Sequence, residues 1–291
     1  MNDDLYERLL RRGLGRVVDD IMRLTLPAIR LTCQQTEEAL LPPGASKLGG
    51  LPDLPPEMSW PEWRGEAMVF IAQIHLDEIA PYDPEGDLPH CGLLSFFFAT
   101  DGEPKANEDD DNPETWRVLH FDGDLASLVR QPAPETLNDR VRFTACSVTY
   151  SWRLTLPPVE LVEEMLGFTN QERLAYIDVE TSTDLFEQFG SFLDMDHHLL
   201  GYPYALDGSP FVSCYLGAHH ITYQAVEAGG REWFQHLEKE AAKEWRLLLQ
   251  VYSNEEAGMD WAGGGVLHFC IPKEALAARD FSRVWLEMQF V

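Results

Sequence analysis

The chain has 291 residues, enough for one large domain or two intimately joined halves, and its 45% hydrophobic content is enough to bury a substantial core. Forty-nine Asp and Glu stand against 22 Lys and Arg, a formal net charge of −27. That balance opposes non-specific binding to nucleic acid or anionic membrane and favours encounter with a basic partner. Five cysteines, odd in number and never in C-x-x-C spacing, argue against a disulfide scaffold and a zinc ribbon. The opening MNDDLYERLLRR lacks an apolar signal core. No apolar run approaches the roughly 20 residues that a membrane span needs. A cytoplasmic protein is expected, with no cofactor.

In chain order, Leu5, Leu9, Val17, Ile21 and Leu24 predict a helix over 3–24, capped by Asp3 or Asp4 and weakened at Gly13 and Gly15. LPAIRLTCQ then reads as a strand. Residues 42–65 are rich in Pro and Gly but carry Leu48, Leu51, Leu54, Trp60 and Trp63, which predicts an ordered irregular loop. FIAQIHL (70–76) and GLLSFFFA (92–99) read as core strands. The acidic run 101–114 reads as a solvated loop. Strands are expected near 116–121 and 140–146, and helices over 158–168, 170–178, 183–194 and 231–245. The last of these carries Trp233, Phe234, Leu237 and Ala241 on one side. Strands over 246–252, 265–271 and 284–291 complete the chain.

The order SKLGGLPDLP, FIAQIHLDEI, GLLSFFFATD is echoed by HHLLGYPYAL, LLLQVYSNEE, GVLHFCIPKE. Lys47 falls opposite His198, Gln73 opposite Gln250 and Gly92 opposite Gly265. The expected architecture is therefore α+β: a largely antiparallel sheet with peripheral helices, built as one domain from two pseudo-duplicated halves. The halves run approximately over 27–150 and 190–291, joined by a helical connection at 157–194.

HHLLGYP, and the run from Trp245 to Gln289 that holds WRLLLQVYSNEEAGMDWAGGGVLHFCIP, resemble the YwqG-like family, a domain of unknown function. SKLGGLPDLP, Trp60-Pro61, FIAQIHLDEI and GLLSFFF agree, so the resemblance covers roughly residues 40–291. It implies an α+β fold with a largely antiparallel sheet and brings no established reaction. Members often occur beside polymorphic-toxin genes, which implies an immunity or accessory role. The family's W-G-D-x-G turn is replaced here by Trp261-Ala262-Gly263-Gly264-Gly265, so no ligand role passes to that turn.

Successive side chains of a strand point to opposite faces, so His197 and His198 cannot share one metal from a regular strand. Asp196 and His197 would form a metal site only on a bent loop, with ligands suited to Zn, Mn or Fe. The alternative is a structural turn with one histidine bonded to backbone. Buried glutamines must pair their amides. Gln73 and Gln250 therefore pin neighbouring segments or, with Lys47 and His198, line a cleft between the halves that holds a small ligand. No nucleophile motif or Walker loop is present, and no catalytic residue is assigned. The leading expectation is a non-enzymatic binding protein that presents Asp109, Asp110 and Asp111 to a basic protein partner. The alternative is a small-ligand or metal-binding protein, hydrolytic in one version, at the cleft.

Overall fold

Apolar alternation and β-branched or aromatic content place ten strands in one sheet, and every pairing in it is antiparallel. The computed structural model describes residues 2–100, 112–181 and 197–290. The strands are β1 (Leu26–Gln35), β2 (Lys47–Leu48), β3 (Asp53–Leu54), β4 (Glu62–Trp63), β5 (Glu66–Ala67), β6 (Val69–His75), β7 (Leu93–Phe98), β8 (Trp116–Phe121), β9 (Val129–Arg130), β10 (Cys146–Thr155), β11 (His197–Leu200), β12 (Trp245–Tyr252), β13 (Val266–Pro272) and β14 (Trp285–Gln289). The sheet order is β14-β13-β12-β11-β1-β10-β2-β6-β7-β8. β1 and β10 form the central pair over ten residues each. On either side of them comes one short strand and then three longer ones in chain order. The small pairs β3–β9 and β4–β5 lie outside this sheet.

The sheet curls until it is nearly a barrel. Phe96 of β7 and Phe269 of β13 lie far apart in the strand order, yet their rings stand 5.0 Å apart across the interior. The two edge strands approach through Trp116 and Trp285, at 5.3 Å, and Trp116 Nε1 donates to the carbonyl of Val284 at 2.6 Å. Ile29, Leu48, Leu199, Leu249 and Leu267 complete this inner core.

Helices cover the outer face. They are α1 (Asn2–Arg11), α2 (Val18–Leu24), α3 (Leu76–Ile79), α4 (Val159–Val162), α5 (Asn170–Glu180), α6 (Pro210–Ala218), α7 (Tyr223–Glu244) and α8 (Lys273–Ala278). One satellite core joins Leu9, Leu14 and Ile21 to Val162 and Tyr176. Another sets Phe211, Leu237 and Ala241 on Trp245 and Cys270.

Several expectations change. The single helix over 3–24 is two, because the amides of Gly13 and Leu14 bond back to Leu10 and Leu9 with Gly13 at φ +83°, a Schellman stop. The strand near 140–146 is a 3₁₀ turn at Asp139–Val141, and the strand itself starts at Cys146. The helix over 158–168 shortens to α4. The expected 231–245 helix is the second part of α7, which breaks at Gly230 with φ +72°. Residues 183–194 lie outside the described residues. So do Asp109, Asp110, Asp111 and the rest of 101–111.

Candidate functional site

The registers place two polar rows on the outer face. Ser151 faces Arg30, which faces His198, then Gln250, His268 and Glu287 on successive strands. On the other side of the sheet Ser147 faces Lys47, then Gln73 and Ser95. Strand alternation turns these residues away from the interior that holds Phe96 and Phe269.

Lys47, Gln73, His198 and Gln250 are all fully buried. The structure brings Lys47 to Gln73 and His198 to Gln250, each as a directly facing pair. It does not bring one pair to the other, because β10 and β1 stand between them.

Around Lys47 the chain builds a neutral quartet. Lys47 Nζ donates to Glu38 Oε1 at 2.9 Å and lies 3.3 Å from Asp53 Oδ2. Arg130 Nε reaches Asp53 Oδ1 at 2.9 Å and Glu38 Oε1 at 3.0 Å. Gln73 Nε2 and the Gly44 amide also donate to Asp53 Oδ2, at 2.7 and 3.0 Å. Burial pulls Lys47 below the usual lysine range, against Glu38 and Asp53. Burial alone would raise the Asp53 carboxyl, but the Arg130 and Lys47 charges with the Gln73 and Gly44 donors hold it below the usual carboxylate range.

Around His198 and Gln250, backbone groups of the following loop take part. His198 Nε2 lies 3.2 Å from the Tyr202 carbonyl oxygen, and Gln250 Oε1 accepts the Tyr204 amide at 2.8 Å. The corresponding bond on the other side is Gln73 Oε1 accepting the Asp53 amide at 2.9 Å. Each accepted amide lies six residues beyond the facing Lys47 or His198. The turns between agree as well. Gly49 and Gly50 have φ +62° and +73°, and Leu200 and Gly201 have +62° and +72°. A Cβ on Gly201 would stand 2.6 Å from Thr155 Oγ1 and 2.8 Å from Ala28 Cβ, so glycine is needed there for contact as well as for φ.

His197 points to the other face, and its Nδ1 accepts the Tyr252 amide at 3.2 Å. Asp196, its expected companion, lies outside the described residues. Among the described residues no cluster of three or more His, Cys, Asp or Glu is gathered to hold a metal ion. At the Ala-Gly-Gly turn, Asp260 Oδ1 accepts the amides of Gly263 and Gly264, which gives that carboxylate a turn-holding place. His219 caps α6 at its C-terminus and pairs with Glu244.

Burial holds His197 and His268 down to about 4. For His268 it outweighs hydrogen bonds to Tyr204 and Glu287 that act upward. Both folded values lie below the ordinary 6.5. The unfolded chain therefore takes up protons first as the pH falls. The stability these two rings contribute is complete above pH 6.5 and declines toward pH 4. Across pH 7.5, 6 and 5 the urea midpoint of the wild type should fall relative to that of His197→Gln, a comparison in which the opposite effect of the raised Glu180 carboxyl cancels. A difference between the two proteins that stays level to pH 5 contradicts neutral burial of His197.

A large cavity lies elsewhere on the outer face. It holds about 850 Å³ over the central pair β1–β10, within the range of ligand sites. Its floor is Arg30, Ser151, Arg153 and Thr155. Its walls come from α4, α5, the second part of α7 and the loop 202–210. None of Lys47, Gln73, His198 or Gln250 lines it, although Tyr202 and Tyr204, the backbone partners of His198 and Gln250, do. Sequence reasoning missed Arg30 and Arg153. The signal available was an arginine among apolar residues in LPAIRLT and another in SWRLT. On the wall, Arg173 Nε donates to Glu163 Oε2 at 2.5 Å and Lys239 Nζ to Glu164 Oε2 at 2.8 Å. Burial and the neighbouring Glu160 push Glu180 up to about 8.

Fold and cavity together define an α+β protein whose curled antiparallel sheet carries a pocket on its outer face. The family model described as Domain of unknown function (DUF1963) matches residues 46–289, and the chain belongs to that family. No curated protein matches it. No helix of the described residues is long and apolar enough to cross a membrane.

Proposed function

We propose that the protein is a binding protein whose small-molecule ligand occupies the cavity over β1 and β10. One observation carries this reading: a volume of about 850 Å³ with charged and apolar lining at the centre of the sheet, walled by segments distant in sequence.

The same reading takes the chain as a duplicated unit. Lys47–Gln73 and His198–Gln250, the matched left-handed turns, and the amides of Asp53 and Tyr204 on the two glutamines all support it. So do Gly92 and Gly265. Their carbonyls accept the amides of Leu76 and Ser253, each three residues past its glutamine. On this reading the units begin at β1 and β10. Each unit's first strand pairs with the second strand of the other, β1 with β11 and β10 with β2. The cavity then lies over the axis relating the units, and Lys47, Gln73, His198 and Gln250 hold its surrounding loops rather than the ligand.

The test fills the floor. Ser151→Trp should keep its fold by circular dichroism and lose ligand. A compound present at about a hundred times its Kd should stabilise the wild type by about 2.7 kcal/mol and leave the variant unmoved. A broad thermal-shift screen with no hit on the wild type, or hits retained in full by Ser151→Trp, would reject the cavity as the site.

The formal charge of −27 supports a second reading, a basic protein partner captured by long-range attraction in an immunity or accessory role. A cytoplasmic location fits five cysteines that are all free. A partner retained from lysate should be released stepwise as salt rises. Capture indifferent to salt would count against an electrostatic partner.

A further inference from the structure

Resting on the cavity reading, we infer that the ligand is an amphipathic organic oxyanion, a carboxylate or phosphate head on an apolar body, with its head on Arg30 and Arg153. Across the whole chain, acids outnumber Lys and Arg 49 to 22. Among the described residues the cavity lining reverses this, with six Lys or Arg against five Glu. Glu180, raised to about 8 mainly by burial and then by Glu160, with Arg173 and the Val159 backbone acting against them, is mostly uncharged at pH 7. Two of the remaining carboxylates, Glu163 and Glu164, already pair with Arg173 and Lys239. The described lining is thus net cationic inside a strongly anionic protein.

The geometry of the floor sharpens the class. Arg30 faces Ser151 across the central pair, and Arg153 faces Ala28, two residues along the same face. Diagonal residues of an antiparallel pair lie about 7–8 Å apart, close enough for two guanidinium forks to converge on one oxyanion, with the Ser151 hydroxyl beside them. Guanidinium matches carboxylate and phosphate oxygens in two-pronged fashion, which an ammonium does not. Away from the floor the lining turns apolar through Leu156, Ile177, Tyr202 and Phe234. Phe234, 37% exposed, gives that side of the lining an open ring that an apolar body can cover.

The test uses the full-length protein and displacement of the neutral dye Nile red. The competitors are decanoate, decyl phosphate, decylamine and decanol, with inorganic phosphate as a head-only control. Dye binding that Ser151→Trp abolishes reports the cavity itself. Decanoate or decyl phosphate should displace it at concentrations about tenfold or more below decylamine and decanol, and the better of the two identifies the head. In Arg153→Gln and Arg30→Gln that preference should shrink to about twofold. Arg153→Lys, which keeps charge but not the fork, should fall between and covers the case in which a glutamine variant fails to fold. Dye bound but displaced equally well by amine, alcohol and acid would overturn the oxyanion while leaving the cavity reading intact. A preference unchanged in both arginine variants would overturn the assignment to this floor. A wild-type protein that binds neither dye nor competitor would overturn both readings.

Discussion

Asp53→Ala should lower the unfolding free energy by about 3–5 kcal/mol, the range for removing one member of a buried, hydrogen-bonded charge network. The carboxylate is fully buried and receives Lys47, Arg130, the Gln73 amide and the Gly44 amide. Its removal leaves two cations facing Glu38 alone and strands two further donors. Lys47→Met should cost distinctly less. Asp53 then keeps Arg130, Gln73 and Gly44, and a flexible apolar chain fills the space of the lysine stem. Burial already works against the lysine charge, so losing that charge removes a strained contributor. Urea titrations of the two variants decide the matter: equal losses would mean that the carboxylate organises the quartet no more than Lys47 does.

The second large effect sits inside the curled sheet. Phe96→Ala and Phe269→Ala should each cost about 3–5 kcal/mol, the usual loss for emptying a buried aromatic site. Both rings are fully buried. They come from β7 and β13, near opposite ends of the strand order, so their contact at 5.0 Å belongs to closure rather than to any ladder. The double variant should lose less than the sum of the singles by about 0.5–1.5 kcal/mol, the aromatic-pair contribution. Strict additivity in the double-mutant cycle would place closure elsewhere, at Trp116 and Trp285.

Much of the sheet is legible in the sequence, and the reason is local. β6, β7, β12 and β13 are apolar runs bounded by turn residues, and their order carries the echo that sets Lys47 beside Gln73 and His198 beside Gln250. What those four residues do is less legible. Each glutamine is answered by a backbone amide of a loop, and nothing in the residue types says that the partner is main chain. β10 is the long strand that sequence reading misplaces, setting it near 140–146. Val148, Tyr150, Trp152 and Leu154 alternate there with Ser147, Thr149, Ser151 and Arg153, a clear period of two diluted by hydroxyls and one arginine. Misplacing it hides Ser151 and Arg153, and with them the floor of the cavity. The helix over 3–24 fails for a different reason. Apolar spacing continues across Gly13, while the backbone there turns left-handed and stops.

The central pairing has a kinetic consequence. β1 is synthesised early, yet one edge of it waits for β10 and the other for β11, which begins at His197. β2 likewise bonds to β10 on the side away from β6. A nascent chain that ends before residue 200 therefore carries an open strand edge at the heart of its sheet. Folding dominated by such distant pairings is slow, and exposed edges invite pairing with other chains while they wait. On the ribosome the amino-terminal strands should remain sensitive to protease until the second short strand has emerged, and become resistant in one late step.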